Sequence, residues 1–236
     1  MDAGLSGRET RRRLKNIDIH GEDLDAIVVS HEHGDHTRGL RILSGQLNLP
    51  VYLNYPTLSS IKGTEFNGNV REFDSGGTFS INDLYFQPFS VPHDAADPVG
   101  FIIKHKELKI GIVTDLGFAT RLVMERLRNC LLLVLESNYD EEMLRSGPYP
   151  WVLKQRVKGR LGHLSNNQAG ALIKDVDHEG LEHVILFHLS ETNNTHEKAS
   201  QVVGPFLKNH TNHPVNISLG VQDRVGHMVS IGHKDR

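Results

Sequence analysis

The stretch "VVSHEHGDHTRGL", residues 28 to 40, crowds three histidines and two acids into six positions directly behind an apolar run. Imidazoles packed this closely repel one another once charged, so the crowding calls for a ligand that uses them. The preceding run, "LDAIVVS" (24 to 30), reads as a buried strand. It places His31, His33, Asp35 and His36 on the loop at the strand's carboxyl end. Functional side chains of α/β proteins collect there, because the strand fixes where the loop begins. Imidazole nitrogens and carboxylates are ligands for zinc, iron or manganese. Two alternating histidines on a tight loop suit one ion, and the adjacent Asp35–His36 pair suits a second.

Three later strand exits carry further candidates. "SVPHDAADPVGF" places His93 after a strand, "IGIVTDLG" places Asp115 at the end of another and ahead of Gly117, and "HVILFHLS" does the same for His188. Any one of them reads as a cap or turn residue; four such exits together read as one edge of a sheet furnished with metal ligands.

Working outward, helical patterns are expected over 8–17, 37–47, 56–62, 119–129, 140–146, 150–160, 166–177 and 195–209. Residues 70 to 114 instead hold five strand-like runs separated by turn residues. Further strands are expected at 51–53, 131–137 and 183–190, and in "VNISLGV" and "MVSIG" near the end. Strands and helices interleave too closely for separate domains. The reading is a single α/β domain over 1–236 with a partly antiparallel sheet layer.

Composition narrows the function classes. Hydrophobic residues make up 38% and charged residues 23%, as in ordinary globular chains, and the net charge of −3 gives no global attraction to polyanions. A nucleic-acid partner would need a local basic patch. Lys154, Arg156, Lys158 and Arg160 offer one, with Tyr149 and Trp151 beside them as stacking candidates, although alternate residues of a helix do not share a face. The single cysteine, Cys130, lies in the apolar "NCLLLVLES" and is expected to be a buried, inert thiol. No run approaches the roughly 18 apolar residues of a membrane span and no signal-peptide core opens the chain, so a cytoplasmic location is expected.

The set His31, His33, Asp35, His36, His93, Asp115 and His188 resembles the ligand set of the metallo-β-lactamase fold, an αββα sandwich of two mixed sheets flanked by helices. That resemblance implies two divalent ions, zinc or manganese. It puts His31, His33 and His93 on one, Asp35, His36 and His188 on the other, and Asp115 between them. The wording "DAGLSG", "SHEHGDH", "VPHDAADP", "ESNYDEEMLRSGPYPW", "GHLSN" and "HLSETNN" is similar to the YycJ/WalJ family, bacterial metal-dependent exonucleases that digest DNA in the 5′→3′ direction.

The family's chemistry also makes sense from the residues. Two divalent ions suit in-line displacement at phosphorus, and a bound ion lowers the pKa of a water from 15.7 to about 7, so no protein nucleophile is needed. Asp35 or Asp115 would then orient the water or take its proton. His163, in "GHLSN", is the expected charged or proton-donating group beside the phosphate. Ser165 and Asn166, at the start of the next helix, and Asn138, in "ESNYD", are expected to contact the substrate. An RNA-processing nuclease, a thioester or small-molecule hydrolase of the same fold, and a non-catalytic metal-dependent binding module remain as alternatives. Members of the resembled family begin with about two further strands before "DAG". An upstream pair of strands is therefore expected, with Asp2 as a partner for a ligand histidine.

Overall fold

Most of the short apolar runs form strands, and most of the amphipathic runs between them form helices, in a computed structural model that describes residues 1–61, 69–210 and 213–232. The chain divides into two units. One comprises Met1–Ser90, Ala95–Val99 and Gln222–Val225, and the other Val91–Asp94, Gly100–Val221 and Gly226–Arg236.

The first unit contains α1 (Gly7–Lys15), β1 (Ile27–Val28), α2 (Gly34–Thr37), α3 (Leu40–Leu47), β2 (Val51–Leu53), α4 (Tyr55–Ser60) and β3 (Val70–Glu72). Strands β1, β2 and β3 pair in that order and in parallel, so each connection must cross over, and the intervening helices supply the crossovers. Leu40 and Leu43, three apart on α3, bury one face of that helix with Ile27, Val29, Val51 and Leu53. Helix α3 stops where Asn48 turns left-handed at φ 51°. Helix α4 starts where the Asn54 side chain accepts from the Thr57 N–H at 3.0 Å, with proline in its first turn. The hairpin of β4 (Phe79–Ile81) and β5 (Leu84–Ser90) is joined to this sheet by rings. Phe79 stacks at 5.0 to 5.1 Å on Tyr52, Phe73 and Phe86.

The second unit contains β6 (Val99–His105) from Gly100 onward, β7 (Leu108–Val113), α5 (Arg121–Leu127), β8 (Leu132–Glu136), α6 (Glu141–Ser146) and α7 (Trp151–Val157). Helix α8 (Asn166–Val176), β9 (His183–Phe187), α9 (His196–His210) and β10 (Asn216–Leu219) follow. Strand β6 pairs antiparallel with β7, and β7, β8, β9 and β10 continue in parallel. The central β8 is almost continuously apolar because both its faces are covered. The register Val113↔Leu135, Leu135↔Leu186 and Glu136↔Phe187 aligns the carboxyl ends of β7, β8 and β9. Residues leaving those three strands therefore emerge side by side. Helix α8 is capped reciprocally by Ser165 and Gln168. It packs on α9 through Gly170, where an added Cβ would lie 2.4 Å from the Phe206 ring.

The structure corrects several expected boundaries. "LDAIVVS" pairs with its neighbour only over Ile27–Val28. The helix expected over 150–160 ends at Val157, because the His163 N–H returns to the Val157 carbonyl at 2.8 Å and Gly162 closes against the same turn. "MVSIG" forms no strand: its Gly232 N–H donates to the Glu182 carboxylate at 3.0 Å rather than to a ladder. Lys62, the last residue of the helix expected over 56–62, lies outside the described residues. Cys130 is buried as expected, and burial pushes its thiol up to about 11. Among the described residues no helix is long and apolar enough to cross a membrane.

Candidate metal centre

In the first unit, the loop after β1 and the short α2 carry His31, His33, Asp35 and His36. The His31 ring lies 4.6 Å from that of His33 and 4.1 Å from that of His36, centroid to centroid. Their tautomers follow from the hydrogen bonds. The Ser30 hydroxyl donates to Asp2 Oδ2 at 2.9 Å, so it accepts from His31 Nδ1 at 3.0 Å. His36 Nδ1 donates to the same Asp2 carboxylate at 3.0 Å. Both rings are thereby left with the lone pair on Nε2, the form in which imidazole binds a metal. Asp2 also accepts from the Ser30 N–H at 2.7 Å. Burial alone would raise its carboxyl pKa, but His36 and Ser30 more than offset this and hold it below the ordinary value. His36 Nε2 stands 3.6 Å from Asp35 Oδ2, and the Asp35 side chain is exposed.

In the second unit, His93, Asp115, Glu136, His163 and His188 form a second cluster. His93 Nδ1 donates to the Gly162 carbonyl at 3.1 Å, and burial chiefly pushes its pKa down, favouring the neutral imidazole. His163 and His188 both donate through Nδ1 to Glu136 Oε1 at 2.8 Å. Glu136 Oε2 accepts from the backbone N–H groups of Leu116 at 2.9 Å and Leu164 at 3.0 Å. Asp115 Oδ1 lies 3.6 Å from His93 Nε2 and 3.6 Å from His188 Nε2, while Oδ2 accepts from the Thr114 hydroxyl at 2.7 Å. Ligand atoms of Asp115, Glu136, His163 and His188 all fall within 4.8 Å of one another. Asp115 and His188 both adopt left-handed backbone conformations, φ 55° and 57°. Strain of this kind at strand exits persists where the surroundings over-determine it.

Glu136 is the residue that sequence reading missed. It is fully buried. Burial would raise its pKa, yet His163 and His188 outweigh that and hold it below the ordinary carboxylate range. Burial works in the opposite direction on His163, where the nearby Glu136 charge more than compensates and raises the pKa. The signal was present in "LLLVLES": an acid ending an otherwise apolar strand, as Asp115 follows β7 and His188 follows β9.

The expected substrate contacts sit differently. Ser165 is the buried cap of α8 and donates from its hydroxyl to Glu141 Oε1 at 2.9 Å. Asn166 is buried and engaged with Ser137, at 2.6 Å, and with Asn194. The Asn138 amide donates to the His188 carbonyl at 2.8 Å. As placed, these three side chains bond to the segments around His163 and His188. Of the basic residues, Arg156 pairs with Asp94 at 2.6 Å and Arg160 lies 4.1 Å over the Phe118 ring.

Gly117 sits where a Cβ would lie 2.1 Å from the Arg160 carbonyl oxygen. Gly117→Ala is therefore expected to destabilise the chain by about 3 kcal/mol through backbone displacement. Thermal unfolding checks this, and an unchanged midpoint would contradict the packing described.

The donor chemistry of both clusters, imidazole Nε2 with carboxylate oxygens, fits divalent transition metals. The sequence model of the β-lactamase superfamily domain matches residues 1–189. The metallo-β-lactamase fold protein YhfI of Bacillus subtilis superimposes with a TM-score of 0.69 at 17% identity, covering 92% of this chain and 82% of its own. The architecture is thus the metallo-β-lactamase fold, a mixed α/β arrangement with two sheets flanked by helices. The exodeoxyribonuclease YycJ of Bacillus anthracis is 34% identical over 213 residues, covering 88% of this chain and 80% of its own. Exodeoxyribonuclease WalJ of Streptococcus pneumoniae is 35% identical over 205 residues, covering 84% and 76%. The chain belongs to the β-lactamase superfamily and, within it, to the family of the YycJ and WalJ exodeoxyribonucleases.

Proposed function

We propose that this chain is a cytoplasmic, single-domain, two-metal phosphodiesterase that digests DNA from a 5′ end. The observation that carries the reading is Asp115 Oδ1 standing 3.6 Å from each of two imidazole Nε2 atoms whose Nδ1 positions are already committed. An oxygen so placed suits a ligand shared between two cations. His31, His33 and His93 would hold one zinc or manganese ion, and Asp35, His36 and His188 the other. When bound, the pair supplies a water of lowered pKa and positive charge for the attacking and leaving oxygens of an in-line displacement.

The remaining work falls to the chain's own residues. Asp2 and Glu136 fix ring orientation, Asp35 and Asp115 orient the attacking water, and His163 places a cationic donor near the phosphate, its charged form supported by Glu136. DNA as substrate rests on kinship with the exodeoxyribonucleases, and the direction of digestion only on the motif resemblance to that family.

The test is to incubate metal-stripped protein with end-labelled double-stranded DNA, single-stranded DNA and RNA, without metal and with added Mn²⁺ or Zn²⁺. Metal-dependent stepwise loss of DNA from the 5′ end is expected. Cleavage of RNA alone, or of nothing, would refute the reading. Asp2→Ala should weaken metal affinity about 10- to 100-fold by releasing His36, measured by competition with a chromogenic chelator. Wild-type affinity would show that Asp2 does not orient the ligand.

A further inference from the structure

A cavity of about 430 Å³ opens beside α6 and α7 in the second unit, outside the cluster of metal-binding side chains. Trp151, Lys154 and Lys158 line it. Their spacing of three and four residues puts them on one stripe of α7 and its cap. An adjacent face of that helix is anchored, with Leu153 and Val157 packed against Tyr139 and Leu144. Trp151 is nonetheless 70% exposed, unusual for so large an apolar ring. Lys158 Nζ lies 5.2 Å from the Trp151 ring centroid, and Lys154 donates to the Arg145 carbonyl at 2.8 Å. Arg145 also lines the cavity, but Glu142 holds its guanidinium. Two lysines and a bare indole thus face one concave surface of a chain whose net charge is −3.

The floor of this cavity is bonded to the segment that carries His163. Glu141 and Gln168 line it; Glu141 accepts from the Ser165 hydroxyl at 2.9 Å, and Gln168 from the Ser165 N–H at 2.9 Å. The Asn166 N–H donates to the carbonyl of Tyr139, another lining residue, at 2.9 Å. The lining is therefore bonded to Ser165 and Asn166, two and three residues along the chain from the proposed phosphate-facing histidine.

We infer that this cavity is a nucleotide subsite: one base of the nucleic-acid strand stacks on Trp151, and its phosphate is held by Lys154 and Lys158. Every base has a π-face, so a lone indole gives affinity without sequence preference, as an exonuclease that must accept each nucleotide in turn requires. The two lysines act as point charges on the backbone and make the contact salt-sensitive. The inference rests on the nuclease reading and adds where the strand lies.

Trp151 is the only tryptophan in the chain, so intrinsic tryptophan emission reports on this cavity alone. Metal-stripped protein would be titrated with a short oligothymidylate while binding is followed in parallel by the anisotropy of a labelled copy. Saturable quenching of Trp151 emission, coincident with the anisotropy change and weakened by salt, is expected. Lys154→Ala with Lys158→Ala, and separately Trp151→Ala, should each weaken binding about tenfold, whereas Trp151→Phe keeps a ring and most of the affinity. Unchanged emission in a protein that binds and cleaves the strand would overturn the subsite and leave the nuclease reading standing. Quenching by inorganic pyrophosphate or an apolar peptide as strong as by the oligonucleotide would also overturn it. Absence of both binding and cleavage would remove the nuclease reading and the subsite together.

Discussion

Asp115→Asn is expected to lower the rate of DNA hydrolysis on the order of 10³-fold while leaving the fold intact. The substitution keeps the shape of the side chain and removes its charge. A neutral amide offers one oxygen where the proposed role needs an anion between two cations, and losing several kcal/mol of charge stabilisation corresponds to that factor at 1.36 kcal/mol per tenfold. The backbone tolerates the change, because Asp115 sits at φ 55° and asparagine is among the residues that most readily adopt the left-handed region. The Thr114 hydroxyl, which donates at 2.7 Å to Oδ2, keeps an acceptor if the amide oxygen turns toward it. Hydrolysis of end-labelled DNA gives the rate, elemental analysis the metal content, and circular dichroism the fold. A variant with wild-type turnover and full metal content would end the bridging role.

The second large effect falls on stability. Glu136→Gln should destabilise the chain by about 3 to 5 kcal/mol, because the carboxylate accepts four hydrogen bonds in a fully buried site. Glutamine replaces one oxygen with an NH₂ group. That group must then face either the two imidazole Nδ1–H donors or the N–H groups of Leu116 and Leu164, setting donor against donor without water to relieve it. In a chain of this size each kcal/mol moves the melting midpoint by about 2 to 4 °C, so a fall of roughly 10 °C is expected. His188 would lose its orientation at the same time, and metal affinity should drop by a further 10- to 100-fold. Differential scanning calorimetry and chelator competition measure the two. A midpoint within 2 °C of the wild type would mean that Glu136 does not hold the network together.

The unequal legibility of this chain in its sequence has physical causes. Candidate-ligand type and strand exit are local properties. "HEHGDH" behind an apolar run, and the aspartate and histidine that follow β7 and β9, could be read from residue type and hydrophobic period alone. The inert buried Cys130 and the five-strand pattern over 70–114 were legible for the same reason. Strand lengths and helix ends were not, since pairing with β2 covers only Ile27–Val28 of the apolar run, and α7 stops at Val157 because the His163 N–H returns to the Val157 carbonyl.

Tertiary packing assigns which groups serve which. Glu136 is an ordinary strand residue until β8 lies between β7 and β9, when its carboxylate falls beside the residues leaving both neighbours. Ser165 and Asn166 stand at a helix start, and packing supplies their side-chain partners Glu141, Ser137 and Asn194. The four alternating basic residues of 154 to 160 are equivalent in sequence. The fold separates them, sending Arg156 to Asp94, Arg160 to Phe118, and Lys154 and Lys158 to the cavity beside Trp151. The chemistry available is legible in the chain, because side-chain type and periodicity are written locally. Strand order and register bring together residues far apart along the chain, and that pairing is what made a set of candidate ligands into oriented ones.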